Sequence, residues 1–370
     1  MNVPERSVSS RRRLTNRGLI ATAAVAVLAI VACAPGGGAA SPGVGTPGVP
    51  GMTDAPGMTD APAMTDAPAM SASPGDSPAA PGTERLTIAT GGTGGVYFPL
   101  GGGLAQELSE NIEGVTATAQ ETSASVDNML LIGSGEAHLA FVLGDTAADA
   151  VEGRAQFDGS PIDACTLGIL YGNYTQVVTT TGTGIETIED LRGKRVSVGA
   201  LGSGTEVIAL RILEAAGIDP ETDLADRSQL LVDETVDGLR DGTIDAGFWS
   251  GGLPTGALVD LPNMKLIPTA EYTAALADQF GPFYLEREIP ADTYDGQTEA
   301  VPTIVVPNVL VANTSMSEDL QRQVTQVLFD QKEDLQQVHA AAGELDPTTA
   351  GEVEFMDVCP GAQAYYDETQ

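Results

Sequence analysis

Arg85-Leu-Thr-Ile-Ala-Thr-Gly-Gly-Thr-Gly-Gly-Val-Tyr-Phe-Pro-Leu100 is the stretch whose reading decides the fold. Residues 86–90 read as a short buried strand, 91–95 as a glycine-rich turn, and the residues that follow as the first turn of a helix. Such a turn leaves several backbone N–H groups aimed at one spot, at the positive end of the helix, which makes a seat for an anion such as a carboxylate. Holding an anion there requires no covalent chemistry.

Working outward, residues 103–111 read as a helix and 115–120 as an alternating strand. Thr122-Ser123-Ala124-Ser125 reads as a cap for a helix over 126–133, and 137–143 as a strand that ends at Gly144-Asp145. Strand–helix–strand–helix–strand in this rhythm predicts a parallel α/β sheet. A second unit follows the same plan: a strand at 196–199, a turn at 200–204, and a helix at 205–216 that stops at Gly217. Gly242, Asp245 and Phe248 repeat the spacing of Gly135, His138 and Phe141, so the chain holds two similar lobes. The β-forming runs 167–181 and 303–312 are expected to supply the crossings between them, and a helix around 319–342 to return to the first. Lobe one is then 84–174 plus 307–370, and lobe two 175–306. Two lobes joined by paired crossings form a cleft that closes by hinge motion, with ligand at the carboxyl ends of the strands.

The N-terminus is read apart from this globule. Arg6, Arg11, Arg12, Arg13 and Arg17 precede an apolar run at 19–32, shorter than the roughly 20 residues of a membrane span, so residues 1–32 are expected to be an export signal. Ile30-Val31-Ala32-Cys33 resembles a lipobox, in which Cys33 becomes an acylated N-terminus anchored in the bilayer. Residues 33–83 hold no Lys, Arg or aromatic residue and repeat Met-Thr-Asp-Ala-Pro, which predicts a disordered tether. Without residues 1–32 there remain 12 basic and 50 acidic residues, a net charge near −38. That charge repels nucleic acid and anionic lipid. Cys165 and Cys359 are then an even pair in an oxidising compartment, expected either to form a disulfide or to stand as two separate buried thiols.

Catalytic and cofactor patterns fail residue by residue. Tyr97 stands where a dinucleotide fingerprint needs its third glycine, and no Gly-Lys-Ser/Thr loop is present. Leu201 stands where a Gly-x-Ser-x-Gly elbow around Ser203 needs its first glycine. Beyond the signal the chain has only His138 and His339, too few for a His/Cys metal site or a nucleophile–base pair. No cofactor, metal or enzyme activity is expected. No basic residue falls in the glycine turns or cap segments, so an anion there would be held by N–H and hydroxyl donors. Tyr97, Phe98, Tyr171, Tyr174 and Trp249 are the aromatic residues expected near the mouth, with Trp249 placed to report closure.

Several of these segments together resemble the TAXI family, the solute receptors of TRAP (tripartite ATP-independent periplasmic) transporters. They are Gly-Thr-Gly-Gly-Val-Tyr-Phe-Pro at 92–99, Thr122, Ser125 and Asn128 as Thr-x-x-Ser-x-x-Asn, Gly-Glu-Ala at 135–137, Asp190-Leu191 with Gly193-Lys194, Gly199 with Gly-Ser-Gly-Thr at 202–205, and Asp-Gly-x-Ile-Asp-Ala at 241–246. The chain departs from the family at Ser123-Ala124 in place of a Gly-Gly pair, at His138 in place of an acid, and at Leu143 in place of a glutamine. The resemblance implies a two-lobed periplasmic-binding-protein-like (type II) α/β fold and an extracytoplasmic, lipid-anchored receptor. It further implies a small carboxylate or amino-acid ligand and a TRAP membrane subunit as partner. Thr93, Gly94, Gly95 and Tyr97 would seat one end of the ligand. Thr122, Ser123, Ser125, Asn128 and Asp145 would add lobe-one contacts; Ser203, Gly204, Thr205, Trp249 and Gly251 would hold it from lobe two. The alternatives are a receptor lipoprotein of an ATP-driven (ABC) importer, which shares the lobe plan, and a ligand-sensing lipoprotein.

Overall fold

In the computed structural model the described residues run from Glu84 to Thr369; the expected export signal, Cys33 and the tether lie outside them. The first lobe opens with β1 (Glu84–Ala89), α1 (Tyr97–Asn111), β2 (Val115–Gln120), α2 (Ser125–Ser134), β3 (Leu139–Leu143) and α3 (Gly144–Glu152). β1 lies between β2 and β3 and is parallel to both, with the helices as crossovers. A long strand, β4 (Ala164–Thr180), leads to the second lobe. There β5 (Arg195–Ser197), α4 (Gly204–Ala215), β6 (Asp226–Ser228), α5 (Val232–Asp241) and β7 (Ala246–Gly251) repeat the plan, with β5 parallel to β6 and β7. The chain continues through α6 (Gly256–Val259), β8 (Met264–Ile267), α7 (Thr273–Phe280) and β9 (Leu285–Ile289) to a second long strand, β10 (Val301–Asn313). It closes with α8 (Glu318–Asp330), α9 (Lys332–Val338) and α10 (Pro360–Thr369).

Among the described residues all ten strands belong to one sheet, in the order β2-β1-β3-β10-β4-β7-β5-β6, with β8 beside β4 and β9 beside β10. The expected crossings fall on β4 and β10, which pair antiparallel with each other from Asn313↔Ala164 to Val305↔Tyr174. Beyond that ladder β4 carries on along β7 and β10 along β9. Both strands are rich in Val, Leu and Ile because neighbours flank them on both edges and cover them on both faces.

The glycine run decides how α1 meets the sheet. The helix begins at Tyr97, directly after the glycine turn as expected, and runs unbroken through Gly101 to Gly103. A Cβ on Gly101 would run into the Thr90 side chain at the end of β1. Close approach of helix and strand therefore outweighs the roughly 1 kcal/mol by which glycine weakens a helix. Leu104 and Leu108 of α1 are buried in the same apolar cluster as Leu328 of α8 and Tyr366 of α10, each leucine contributing about 2 kcal/mol of transfer free energy. The C-terminal helices thus return to lobe one, where Cys359 is disulfide-bonded to Cys165 of β4.

The internal repeat has a shared physical role. His138 Nδ1 accepts the N–H of Thr87 at 3.1 Å, and the His138 N–H donates to the Thr87 carbonyl at 2.9 Å. In lobe two Asp245 Oδ2 accepts the N–H of Arg195 at 2.9 Å, and the Asp245 N–H donates to the Arg195 carbonyl at 2.8 Å. Each of these residues ties the entry of its strand to the first strand of its own lobe. Gly135 and Gly242 each end the preceding helix at positive φ, 76° and 69°. Among the described residues no helix is long and apolar enough to cross a membrane.

Candidate functional site

The turn after β1 and the turn after β5 face each other. At the start of α2 the N–H groups of Val126 and Asp127 donate to the Gly202 carbonyl at 3.1 and 3.2 Å. The expected side-chain cap is therefore absent: Ala124 occupies the cap position at φ 89°, and a carbonyl from the other lobe satisfies the helix terminus. Glycines permit this closeness. A Cβ on Gly204 would lie 2.7 Å from Ser125 Oγ, and one on Gly95 would lie 3.0 Å from Trp249 Cη2.

Between these turns lies a narrow cleft with about 60 Å³ of free room, enough for a few water molecules or one compact solute. From the expected set, Thr93, Gly94, Gly95, Tyr97, Ser123, Ser125, Ser203, Gly204, Thr205, Trp249 and Gly251 line it. Three expected residues do not. Thr122 Oγ1 donates to Asn128 Oδ1 at 2.6 Å and accepts from the Ala124 N–H at 3.0 Å. Asn128 is fully buried, its amide bridging the Thr90 and Phe141 carbonyls at 2.7 and 2.8 Å. Both fix the loop that presents Ser123 and Ser125. Asp145 points away to Arg211 Nη1 at 3.2 Å and accepts the Tyr284 hydroxyl at 2.8 Å. Burial pushes its carboxyl above the ordinary range, opposed by the Arg211 charge and the Tyr284 hydrogen bond.

Several lining residues already have positioning bonds. The Tyr97 hydroxyl donates to Asn308 Oδ1, and Asn308 lies beside the register shift in the β4–β10 ladder. Ser203 Oγ accepts the Glu206 N–H at 3.1 Å and caps α4, and Thr205 Oγ1 accepts the Ser250 N–H at 3.2 Å. Trp249 Nε1 donates to Thr255 Oγ1 at 3.0 Å, which fixes the indole against Gly95 and Gly251. Ser125 Oγ accepts the Leu143 N–H at 3.1 Å. At the glycine turn the Gly95 N–H returns to the Gly92 carbonyl at 3.1 Å.

Three side chains in the cleft are buried yet have a polar atom without a protein partner: the Tyr171 hydroxyl, Asn173 Oδ1 and Ser250 Oγ, in residues 2, 2 and 6% exposed. Leaving such atoms unpaired costs about 1–3 kcal/mol each, so their shared place in the lining marks where a ligand or water belongs. Burial also raises the Tyr97 and Tyr171 hydroxyls well above their ordinary range, so both are neutral in water near pH 7. Of the lining residues, Tyr171 is among the aromatics the sequence places at the mouth, whereas Asn173, Ser250 and Asp233 are not expected from it. Asp233 had a signal, since it opens the helix after β6, at a strand's carboxyl end. Asn173 lies mid-strand and had none. Phe98 and Tyr174, expected near the mouth, lie outside the lining.

The chain belongs to the NMT1-like family, which matches residues 88–369. Its fold is that of two-lobed periplasmic binding proteins. PhnD1 from Prochlorococcus marinus, solved in complex with methylphosphonate, is 12% identical with a TM-score of 0.50, over 70% of this chain and 90% of that one. The periplasmic aliphatic sulphonate binding protein SsuA from Escherichia coli is 17% identical with a TM-score of 0.43, over 78% and 84%. A binding protein component of an ABC phosphonate transporter from Pseudomonas aeruginosa is 10% identical with a TM-score of 0.44, over 70% and 79%.

Proposed function

We propose that the chain is an extracytoplasmic solute receptor that closes its two lobes on a small molecule with an anionic end and passes it to a membrane transporter. The observation that carries this reading is the convergence of the unpartnered Tyr171, Asn173 and Ser250 groups on one cleft between two glycine turns. Thr93, Gly94 and Tyr97, at the N-terminus of α1, seat the anionic end through backbone N–H groups, while the Gly95 N–H closes the turn onto the Gly92 carbonyl. Ser123 and Ser125 add hydroxyls from lobe one; Ser203, Gly204, Thr205, Trp249 and Gly251 approach from lobe two. The lobe boundaries near 174 and 306 lie inside the β4–β10 ladder, beside its register shift between Pro307 and Val309, and serve as the hinge. Acylated Cys33 and the 33–83 segment tether the receptor to the outer face of the membrane.

An ATP-driven importer is the transporter class that the comparisons favour, since binding components of such importers are among the proteins with this fold. A TRAP membrane subunit is the second reading, and it rests on the order of the motifs from Gly92 to Ala246. A permease gene beside this one in its genome decides between them: an ATPase partner supports the first, a fused TRAP subunit the second.

The receptor reading is tested by thermal shift of residues 84–370 against organic acids, phosphonates, sulfonates, amino acids and sugars, with Trp249 fluorescence followed on each hit. A ligand at 100 times its Kd stabilises the fold by about 2.7 kcal/mol. A well-folded protein that responds to none of them sinks the reading.

A further inference from the structure

The cleft has one charged side chain among its lining residues, and that side chain is an acid, Asp233. It is the second residue of α5, where an acid commonly serves the helix terminus. That work is done by its neighbour: Glu234 Oε2 accepts the Leu231 N–H at 3.0 Å. The Asp233 carboxylate leans across the cleft onto Gly94 of lobe one, so near that a Cβ on Gly94 would run into it. Among the described residues it has no hydrogen bond or salt-bridge partner.

A second observation points the same way. Asn173 Oδ1 is buried in the cleft and can only accept a hydrogen bond, and no protein donor reaches it. Trp249, Tyr97 and Tyr171 line the same space. The lining offers no Lys or Arg to neutralise a second acid group, so a dianion would face Asp233 with nothing to offset the repulsion. The chain's net charge of −34 adds to that bias at long range.

We infer that the ligand is a zwitterion, with its ammonium group held by Asp233 and Asn173 Oδ1 and its acid group at the glycine turn. This rests on the receptor reading above and narrows its ligand class. Asp233 is then the residue that selects amine-bearing ligands over oxo acids and dicarboxylates.

The test uses matched probes on residues 84–370: the common L-α-amino acids and taurine, their 2-oxo-acid or amine-free counterparts, and succinate. The expected result is a shift from one or a few amine-bearing members, with the amine-free counterpart binding at least about tenfold more weakly. Asp233→Asn, on an exposed side chain, should leave the unliganded melting temperature in place, lower affinity for the amine by about tenfold, and nearly abolish the preference over its counterpart. Equal or tighter binding of an amine-free acid overturns the zwitterion assignment and leaves the receptor reading standing. Asp233→Asn with unchanged amine affinity also overturns it, as does a panel in which no amine-bearing compound binds. Only silence across the wider solute screen removes the receptor reading as well.

Discussion

Arg211 of α4 lies in lobe two, and its guanidinium reaches Asp145 of α3 in lobe one, Nη1 to Oδ2 at 3.2 Å, with Nη2 on Asp149. Tyr284 ties the group together, accepting from Arg211 at 2.6 Å and donating to Asp145 at 2.8 Å. The Phe280 ring stacks 4.2 Å from the guanidinium carbon. Removing the cation leaves two buried carboxylates without it, so Arg211→Met should cost about 3–5 kcal/mol in urea unfolding. Loss of the Arg211 charge raises the folded-state value of Asp145 further above its unfolded value. That penalty is complete above the folded value and fades as pH falls towards the unfolded one, so the deficit should shrink on acidification. A deficit below about 1 kcal/mol, or one that grows in acid, would contradict the pairing.

Gly94 in the turn after β1 and Asp233 of α5 meet across the cleft. Gly94→Ala puts a methyl group where the Asp233 carboxylate lies, and because that carboxylate is the tip of an exposed side chain it swings aside at little steric cost. Because the contact crosses the cleft, the displacement of Asp233 should appear in ligand affinity, by about tenfold, with the melting temperature of the unliganded protein little changed. Titration of Trp249 fluorescence checks it; unchanged affinity would mean that the turns do not approach in the bound state.

Asp245 is held below the ordinary carboxylate range, chiefly by its hydrogen bonds from Arg195: the side chain at 2.6 and 3.1 Å and the backbone N–H at 2.9 Å. A carboxyl depressed on folding contributes stability that is present above its unfolded value near 3.8 and lost as pH falls through the folded value. Asp245→Ala should therefore cost about 1 kcal/mol at pH 7, discounted for the exposed guanidinium, and much less near pH 2. Urea midpoints at the two pH values measure the difference.

Cys165 and Cys359 close a loop with a sequence separation of 194. Replacing both by alanine should cost about 2–5 kcal/mol, mostly through the freed unfolded chain. Calorimetry under non-reducing conditions checks it, and a change within error would show that the bond does not form.

The sequence by itself determined the types and order of the elements over 86–143 and of the strand and helix over 196–216. Alternation in 115–120 reappears as β2, the apolar run around 139–143 as β3, and the spacing shared by Gly135, His138, Phe141 and Gly242, Asp245, Phe248 as two lobes of one plan. Such signals are local, set by period and by the backbone freedom of glycine, so they survive without knowledge of the fold. Most of the cleft lining was legible for the same reason: residues in turns after parallel strands gather at one end of a sheet.

Tertiary structure alone decided which polar residues face the ligand and which serve the frame. Asn128 and Asp145 carry the same chemistry as a ligand contact would, yet one spends its amide on two carbonyls and the other its charge on Arg211. Asn173, Ser250 and Asp233 enter the cleft because β4, β7 and α5 meet the glycine turn from a distant part of the chain. Those meetings depend on the register of the long β4–β10 ladder and on contacts between residues more than a hundred positions apart. No local period encodes that distance, so the sign of the charge over the cleft became readable only once the two lobes were placed together.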